Sequence, residues 1–214
     1  MLIGGKMNIV EPIRDKKDIK KIEKILKNKS LRDLLMFVMG TNSGLRISDI
    51  LALNVGDVKN KTHINIIEKK TGKRKKFPIN SKLKALLDPY IVNKVTSEPL
   101  FKSRFDNRLD RVQAYRIIND ACTLAGLNYK VGTHTLRKTF GYHHYQQYKD
   151  VAMLQKIFNH SSPTITLRYI GIEQDILVFQ HLQKHMLIRH IFNTKQDIAI
   201  LKSQVKYILM FQRE

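Results

Sequence analysis

Apolar residues recur at helical spacing along most of this chain, and the period changes in one stretch. Within 16–27, Ile19, Ile22, Ile25 and Leu26 form an apolar stripe among lysines, the mark of an amphipathic helix. Leu31, Leu34, Leu35 and Val38 continue with i, i+3, i+4, i+7 spacing. Gly40 and the turn Thr41-Asn42-Ser43-Gly44 are expected to stop that helix. A third helix starts near Arg46, with Ile47, Ile50 and Leu51 inward. The run His63-Ile64-Asn65-Ile66-Ile67 is β-rich, and Lys76-Phe77-Pro78-Ile79 reads as a second short strand. The polar run Lys69-Lys70-Thr71-Gly72-Lys73-Arg74-Lys75 between them makes a hairpin loop, and Asp57-Val58 is a candidate third strand. From residue 81 the pattern is helical again, over 81–95, 110–125, 134–148, 151–159, 163–170 and a long helix after 173. The expected fold class is mainly α with a small antiparallel β-sheet.

Composition bounds what such a fold can do. The 214 residues suffice for one domain with an additional segment, or two small ones, and 43% hydrophobic residues suffice for a core. No apolar run approaches the roughly 20 residues needed to span a bilayer, and the start MLIGGKMNIVEPIRDKKD has no apolar stretch of signal-peptide length. The single cysteine, Cys122, excludes an internal disulfide and a cysteine-based zinc site, and a reducing cytoplasm is the expected location. The net charge of +21 points to a polyanionic partner, with nucleic acid ahead of an anionic membrane surface.

Charge does not say whether chemistry follows binding, so the chemistry has to come from particular residues. The carboxylates are few and scattered, with no cluster suited to Mg²⁺, and no phosphate-binding loop of the G-x-x-x-x-G-K-[ST] type is present. No metal and no cofactor is therefore expected, and cationic side chains must do the work on a phosphodiester. Gly132-Thr133-His134-Thr135-Leu136-Arg137 offers such cations: Thr133 is a plausible N-cap, and His134 and Arg137 then share one face of the first helical turn. A helix start favours a phosphate, and a planar guanidinium can grip two of its oxygens. Arg46 opens another helix with Asp49 one turn along, placed to hold the guanidinium or to form a plain surface ion pair. In the third segment, Ser162-Pro163 starts a short helix that carries Tyr169 on its final turn, with Gly171 just beyond. Taken alone, Tyr169 could equally be a half-buried packing residue.

Together these segments resemble the tyrosine recombinase, or phage integrase, family. The resemblance rests on Gly-Leu-Arg46-Ile-Ser-Asp, Lys70-Thr-Gly, His134-Thr-Leu-Arg137, Asn-His160-Ser-Ser and Arg-Tyr169, in that order, with nine residues from His160 to Tyr169. It covers roughly 12–172 and implies the α+β fold of that family's catalytic domain. It implies that Arg46 and Arg137 bind the oxygens of the scissile phosphate. It implies that Tyr169 attacks to form a 3′-phosphotyrosyl bond, that His134 assists as acid or base, and that His160 bonds the phosphate or steadies the tyrosine. Lys70 is the best match for the lysine that protonates the leaving 5′-oxygen, with Lys69 and Lys73 close alternatives. Asp49 is expected behind Arg46, and Lys69, Lys73, Arg74, Lys75, Lys76 and Lys138 are expected to contact DNA.

The implied function is a site-specific recombinase or integrase of a mobile genetic element. It would break and rejoin double-stranded DNA as a tetramer on paired sites, in the cytoplasm of a bacterium at its nucleoid. A DNA-binding remnant or regulator that keeps the fold without completing recombination is the alternative, and a relaxing enzyme of the type IB topoisomerase kind is a third. The expected organisation is a flexible start over 1–11, a catalytic domain over 12–172 and a helical extension over 173–214. Family members usually carry an N-terminal DNA-clamping domain, so a solitary catalytic domain, a truncation or a short member is expected. The amphipathic extension could dock on a neighbour, fold back over the site, or be an altered reading frame.

Overall fold

The computed structural model describes residues 10–68 and 72–172. Most of the expected flexible start, Lys69 and Lys70, and the expected helical extension lie outside the described residues. The fold is mainly helical with one two-stranded antiparallel sheet, as the periodicity indicated.

Helix α1, Lys16–Lys29, starts where the Asp15 side chain accepts from the Lys17 N–H, and buries Ile22 and Leu26. Helix α2, Leu31–Ser43, is buried on nearly every face from Leu34 to Gly40. A helix apolar all round belongs in the middle of a core, and α2 packs against α1, α4 and α6. Gly40 does not stop it. The Leu136 side chain of α6 lies where a Cβ on Gly40 would fall, 2.6 Å from Leu136 Cδ1, so the glycine permits a close helix crossing. The helix ends at Gly44, whose φ of 64° is left-handed. Helix α3, Ile47–Ala52, follows at once, with Arg46 as its N-cap residue.

Asp57-Val58 is not a strand. Asn54 and Asp57 cap one another across a single 3-10 turn, Val55–Asp57, and this local bonding takes up the backbone groups that a strand would need. The strands β1, His63–Ile67, and β2, Arg74–Pro78, pair with Ile64 opposite Phe77, both buried. Helices α4, Ser81–Ile91, and α5, Arg111–Leu124, complete the main core. Helix α4 stops short of the expected residue 95.

Helices α6, Thr133–Tyr148, α7, Val151–Phe158, and α8, Pro163–Tyr169, surround a second apolar cluster built on Leu154, Phe158, Ile170 and Ile172. Gly132, rather than Thr133, caps α6. Ser162 caps α8 by accepting from the Ile165 N–H, and Pro163 is its first residue. The entering chain is tied to this half: Ile13 N–H donates to Thr139 Oγ1 at 2.9 Å, and Glu11 N–H donates to Lys130 O at 3.1 Å. Among the described residues no helix is long and apolar enough to cross a membrane.

Gly141 sets how closely α6 approaches α8. A Cβ there would fall 2.6 Å from Ile170 Cγ2 and 2.7 Å from Phe158 Cε2, and both side chains are fully buried. Gly141→Ala is expected to destabilise the fold by about 1–3 kcal/mol, the usual cost of overpacking a core. A denaturant melt checks this, and an unchanged midpoint would show that the contact can relax.

Candidate active site

Two turns converge on one basic pocket. The left-handed turn at Gly44 ends α2 and delivers Arg46 to the start of α3. The start of α6 delivers His134 and, one turn on, Arg137. Arg46, Ile47, Ser48, Arg111, Thr133, His134 and Arg137 line a cavity of about 320 Å³.

Arg137 is 3% exposed and fixed from two sides. Its Nη1 donates to the Gly44 carbonyl, and its Nη2 donates to the carbonyls of Ile157 and Phe158 at 3.4 and 3.3 Å. The guanidinium also stacks 4.6 Å above the Phe158 ring, and its charge reaches the Tyr169 hydroxyl. A planar fork with five donors can satisfy the ends of α2 and α7 together. Gly44 is required here twice over, by its positive φ and because a Cβ would fall 2.4 Å from Phe140 Cδ1.

Tyr169 is half-buried on the last turn of α8. Its ring meets Phe158 edge-on at 5.3 Å and His160 at 5.0 Å. Burial raises the pKa of the hydroxyl, and the positive charges of Arg137 and Arg46 offset only part of the rise. His160 bonds Thr166 Oγ1 through Nδ1 at 3.1 Å, and that hydroxyl donates its one proton to Ser162 O. Thr166 can therefore only accept from His160, which places the imidazole proton on Nδ1 and leaves Nε2 as an acceptor. Burial and the nearby Arg137, Arg46 and Lys75 lower the His160 pKa, so the ring is neutral at pH 7. His134 keeps an open face to solvent, yet the bulk around it and Arg137, Arg111, Lys138 and Arg46 lower its pKa too.

Arg46, His134, Arg137, His160 and Tyr169 thus come together from three separate segments. Residues 14–176 match the phage integrase family. The chain belongs to that family. A protein of Bacillus subtilis strain 168 named probable integrase/recombinase YoeC is 51% identical over 170 residues, covering 79% of this chain and 93% of that one. Tyrosine recombinase XerD of Mycobacterium leprae is 28% identical over 156 residues, covering 68% of this chain and 48% of its own. The crystal structure of XerH site-specific recombinase bound to palindromic difH substrate in a post-cleavage complex superposes with a TM-score of 0.65 at 19% identity. That match covers 85% of this chain and 55% of XerH and shows a shared fold. The chain spans about half the length of these two Xer proteins.

The remaining cations of this integrase-family chain divide between exposed and inward-facing positions. Lys69 and Lys70 lie outside the described residues. Arg74 and Lys76 are exposed on β2, but Lys75 alternates to the inner face with Phe77, as the two-residue period of a strand demands. Its ammonium donates to the Ile157 carbonyl and pairs with Glu68 Oε1 at 3.3 Å. Lys73 bonds the Asn159 side chain. Lys138, expected to contact DNA, is 8% exposed, with its ammonium 5.2 Å from the centre of the Tyr169 ring. Because α6 is wedged between neighbours, positions 137 and 138 both face inward. Asp49 is buried on α3; burial lowers the Arg137 pKa, and the charge of Asp49 opposes that shift slightly.

Three residues escaped the sequence reading. Glu68 holds Arg46 from 22 positions away, Nη1 to Oε1 at 2.7 Å. Arg111 and Ser48 line the pocket. Glu68 alone carried a sequence signal, a single carboxylate directly before a run of cations.

Proposed function

We propose that this chain is a site-specific recombinase that breaks and rejoins double-stranded DNA through a 3′-phosphotyrosyl intermediate. The observation that carries this reading is the meeting of Arg46, Arg137 and His134 at one cavity, with the Phe158 ring in contact with both the Arg137 guanidinium and the Tyr169 ring. In this reading Arg46 and Arg137 bind the scissile phosphate and Tyr169 is its attacker.

The chemistry follows from the environment of each group. Tyr169 Oη attacks phosphorus, the bond from phosphorus to the 5′-oxygen breaks, and the DNA is left on the tyrosine through its 3′-phosphate. An unaided phenol has a pKa of about 10, and burial raises that of Tyr169 further, so the attacking hydroxyl needs an acceptor for its proton. His160, its ring 5.0 Å from that of Tyr169, offers one neutral acceptor, and neutral His134 in the lining of the pocket offers a second. Negative charge grows on the non-bridging oxygens as the fifth bond forms, and two cations already in place stabilise it without reorganising. The leaving 5′-oxygen takes a proton from the hairpin lysine, for which Lys70 is the assignment. Reversal by a 5′-hydroxyl reseals the strand with no nucleotide triphosphate, and four copies on two duplexes would turn this into strand exchange.

Arg111 is placed to bind a DNA phosphate, because it opens α5 at the rim of this pocket with its side chain exposed. Arg111→Ala should make the salt dependence of DNA affinity shallower by about one unit in the slope of log K against log salt, the share of one phosphate contact. Binding titrations at several salt concentrations check this, and an unchanged slope would remove Arg111 from the interface.

A pool of nicked duplexes with randomised arms tests the function whatever sequence the protein prefers. Cleavage next to the nick releases a short fragment and traps the protein on DNA. The expected result is a DNA-linked band on a denaturing gel that proteinase K removes. No such band from any pool would contradict the proposal.

A further inference from the structure

Glu68 is fully buried, at 0% exposed, immediately after β1. Burying an ionised carboxylate is costly unless it is paired, and Glu68 has two cations. Oε1 accepts from Arg46 Nη1 at 2.7 Å and lies 3.3 Å from Lys75 Nζ. The backbone of Glu68 also closes the hairpin: its N–H donates to Lys73 O at 3.0 Å, and its carbonyl accepts from the Gly72 N–H at 2.8 Å. The Lys75 ammonium shares the Ile157 carbonyl with Arg137. A continuous chain of contacts thus runs from Arg46 through Glu68 and Lys75 to the carbonyl that also holds Arg137.

We propose that Glu68 is a positioning residue for strand cleavage, which fixes the Arg46 guanidinium against the hairpin so that it faces one non-bridging oxygen of the scissile phosphate. This rests on the recombinase reading above. Arg46 sits at the N-cap of a six-residue helix, and its side chain is 18% exposed. Its long arm would otherwise sample many rotamers in the open pocket. A carboxylate that takes Nη1 leaves the remaining guanidinium donors to the phosphate and sets the plane in which they point. Glu68 is itself held at both ends, by the hairpin backbone and by Lys75, so it has little freedom to follow the arginine. Asp49 lies on the same helix as Arg46 and moves with it, whereas Glu68 comes from the sheet and references the arginine to a second element.

The test is single-turnover cleavage of a nicked duplex in which the scissile phosphate is replaced by each stereoisomer of the methylphosphonate. The methyl group removes the charge of one oxygen and relaxes the need for the cation that faces it. Arg46→Ala and Arg137→Ala identify which isomer relieves which arginine. Glu68→Gln, which keeps the shape and removes the charge, is expected to slow cleavage of the ordinary phosphodiester by about 10–100-fold, the scale of a small misplacement of a reacting group. The defect should shrink to a few-fold on the isomer that relieves Arg46→Ala and persist on the other. A purely structural role would give equal defects on both isomers and would overturn the proposal, as would a Glu68→Gln protein that cleaves the phosphodiester normally or faster. If Glu68→Gln does not fold, Lys75→Met, which loosens Glu68 from the strand side, should give a smaller defect with the same isomer preference, and no preference would again overturn it. Unaltered protein that cleaves no substrate would contradict the recombinase reading, and Glu68 would fall with it. Cleavage by the unaltered protein with no isomer preference in the variants sinks Glu68 alone.

Discussion

Tyr169→Phe should abolish covalent attachment to DNA while leaving the fold and DNA affinity intact. The substitution removes one oxygen. The ring contacts with Phe158 and His160 and the position over Lys138 depend on the aromatic body and remain. Arg137, whose charge acts on the lost hydroxyl, keeps its carbonyl partners at Gly44, Ile157 and Phe158. The melting midpoint should therefore shift little, within the roughly 1 kcal/mol of one hydrogen bond. The cleavage rate should fall below detection, because no other group supplies a nucleophile; losses of about a millionfold are known for catalytic nucleophiles in other enzymes. A residual adduct with unchanged mobility would mean that another residue attacks.

Arg137→Lys carries the second largest effect, and it is expected to harm both rate and stability. Removing one preorganised donor from a developing negative charge costs about 100–1,000-fold in rate. Lysine keeps the charge but has a point-like ammonium, which cannot reach Gly44 O and the Ile157 and Phe158 carbonyls at once. Buried carbonyls left without a donor add about 1–3 kcal/mol of destabilisation. Single-turnover cleavage and a denaturant melt on the same preparation separate the two. A lysine variant that cleaves at the normal rate would show that Arg137 serves packing alone. A slow variant with an unchanged midpoint would show that its carbonyl contacts are dispensable.

How much of this was legible in the sequence follows from which interactions are local. The stripes of α1 and α2, the hairpin, and the Ser162-Pro163 start of α8 are set by neighbours within a few residues, and they were read correctly. Gly40 was misread because its reason is Leu136, nearly a hundred positions away. Asp57-Val58 was misread because a capping exchange between Asn54 and Asp57 outweighs the apolar pattern. For the site, the order of Arg46, His134, Arg137, His160 and Tyr169 pointed to the family, and the fold brings those five together.

The partners of these residues were harder. Helical spacing nominated Asp49 as the carboxylate behind Arg46, and nothing local could nominate Glu68 from a strand 22 positions on. Lys75 and Lys138 read as DNA contacts because cations are usually exposed, and only packing reveals that both face inward. Asn159 ends α7 in the left-handed conformation. Its φ of 57° explains why glycine suits that position, and its side chain supplies an oxygen that captures Lys73 of the hairpin.

The most direct measurement is to identify the atom that carries the DNA. The trapped adduct is digested with nuclease and trypsin, and the modified peptide is sequenced by mass spectrometry. The expected product is a nucleotide joined through its 3′-phosphate to Tyr169, with a free 5′-hydroxyl on the released strand. A nucleotide on any other residue, or a 5′-phosphate linkage, would contradict it.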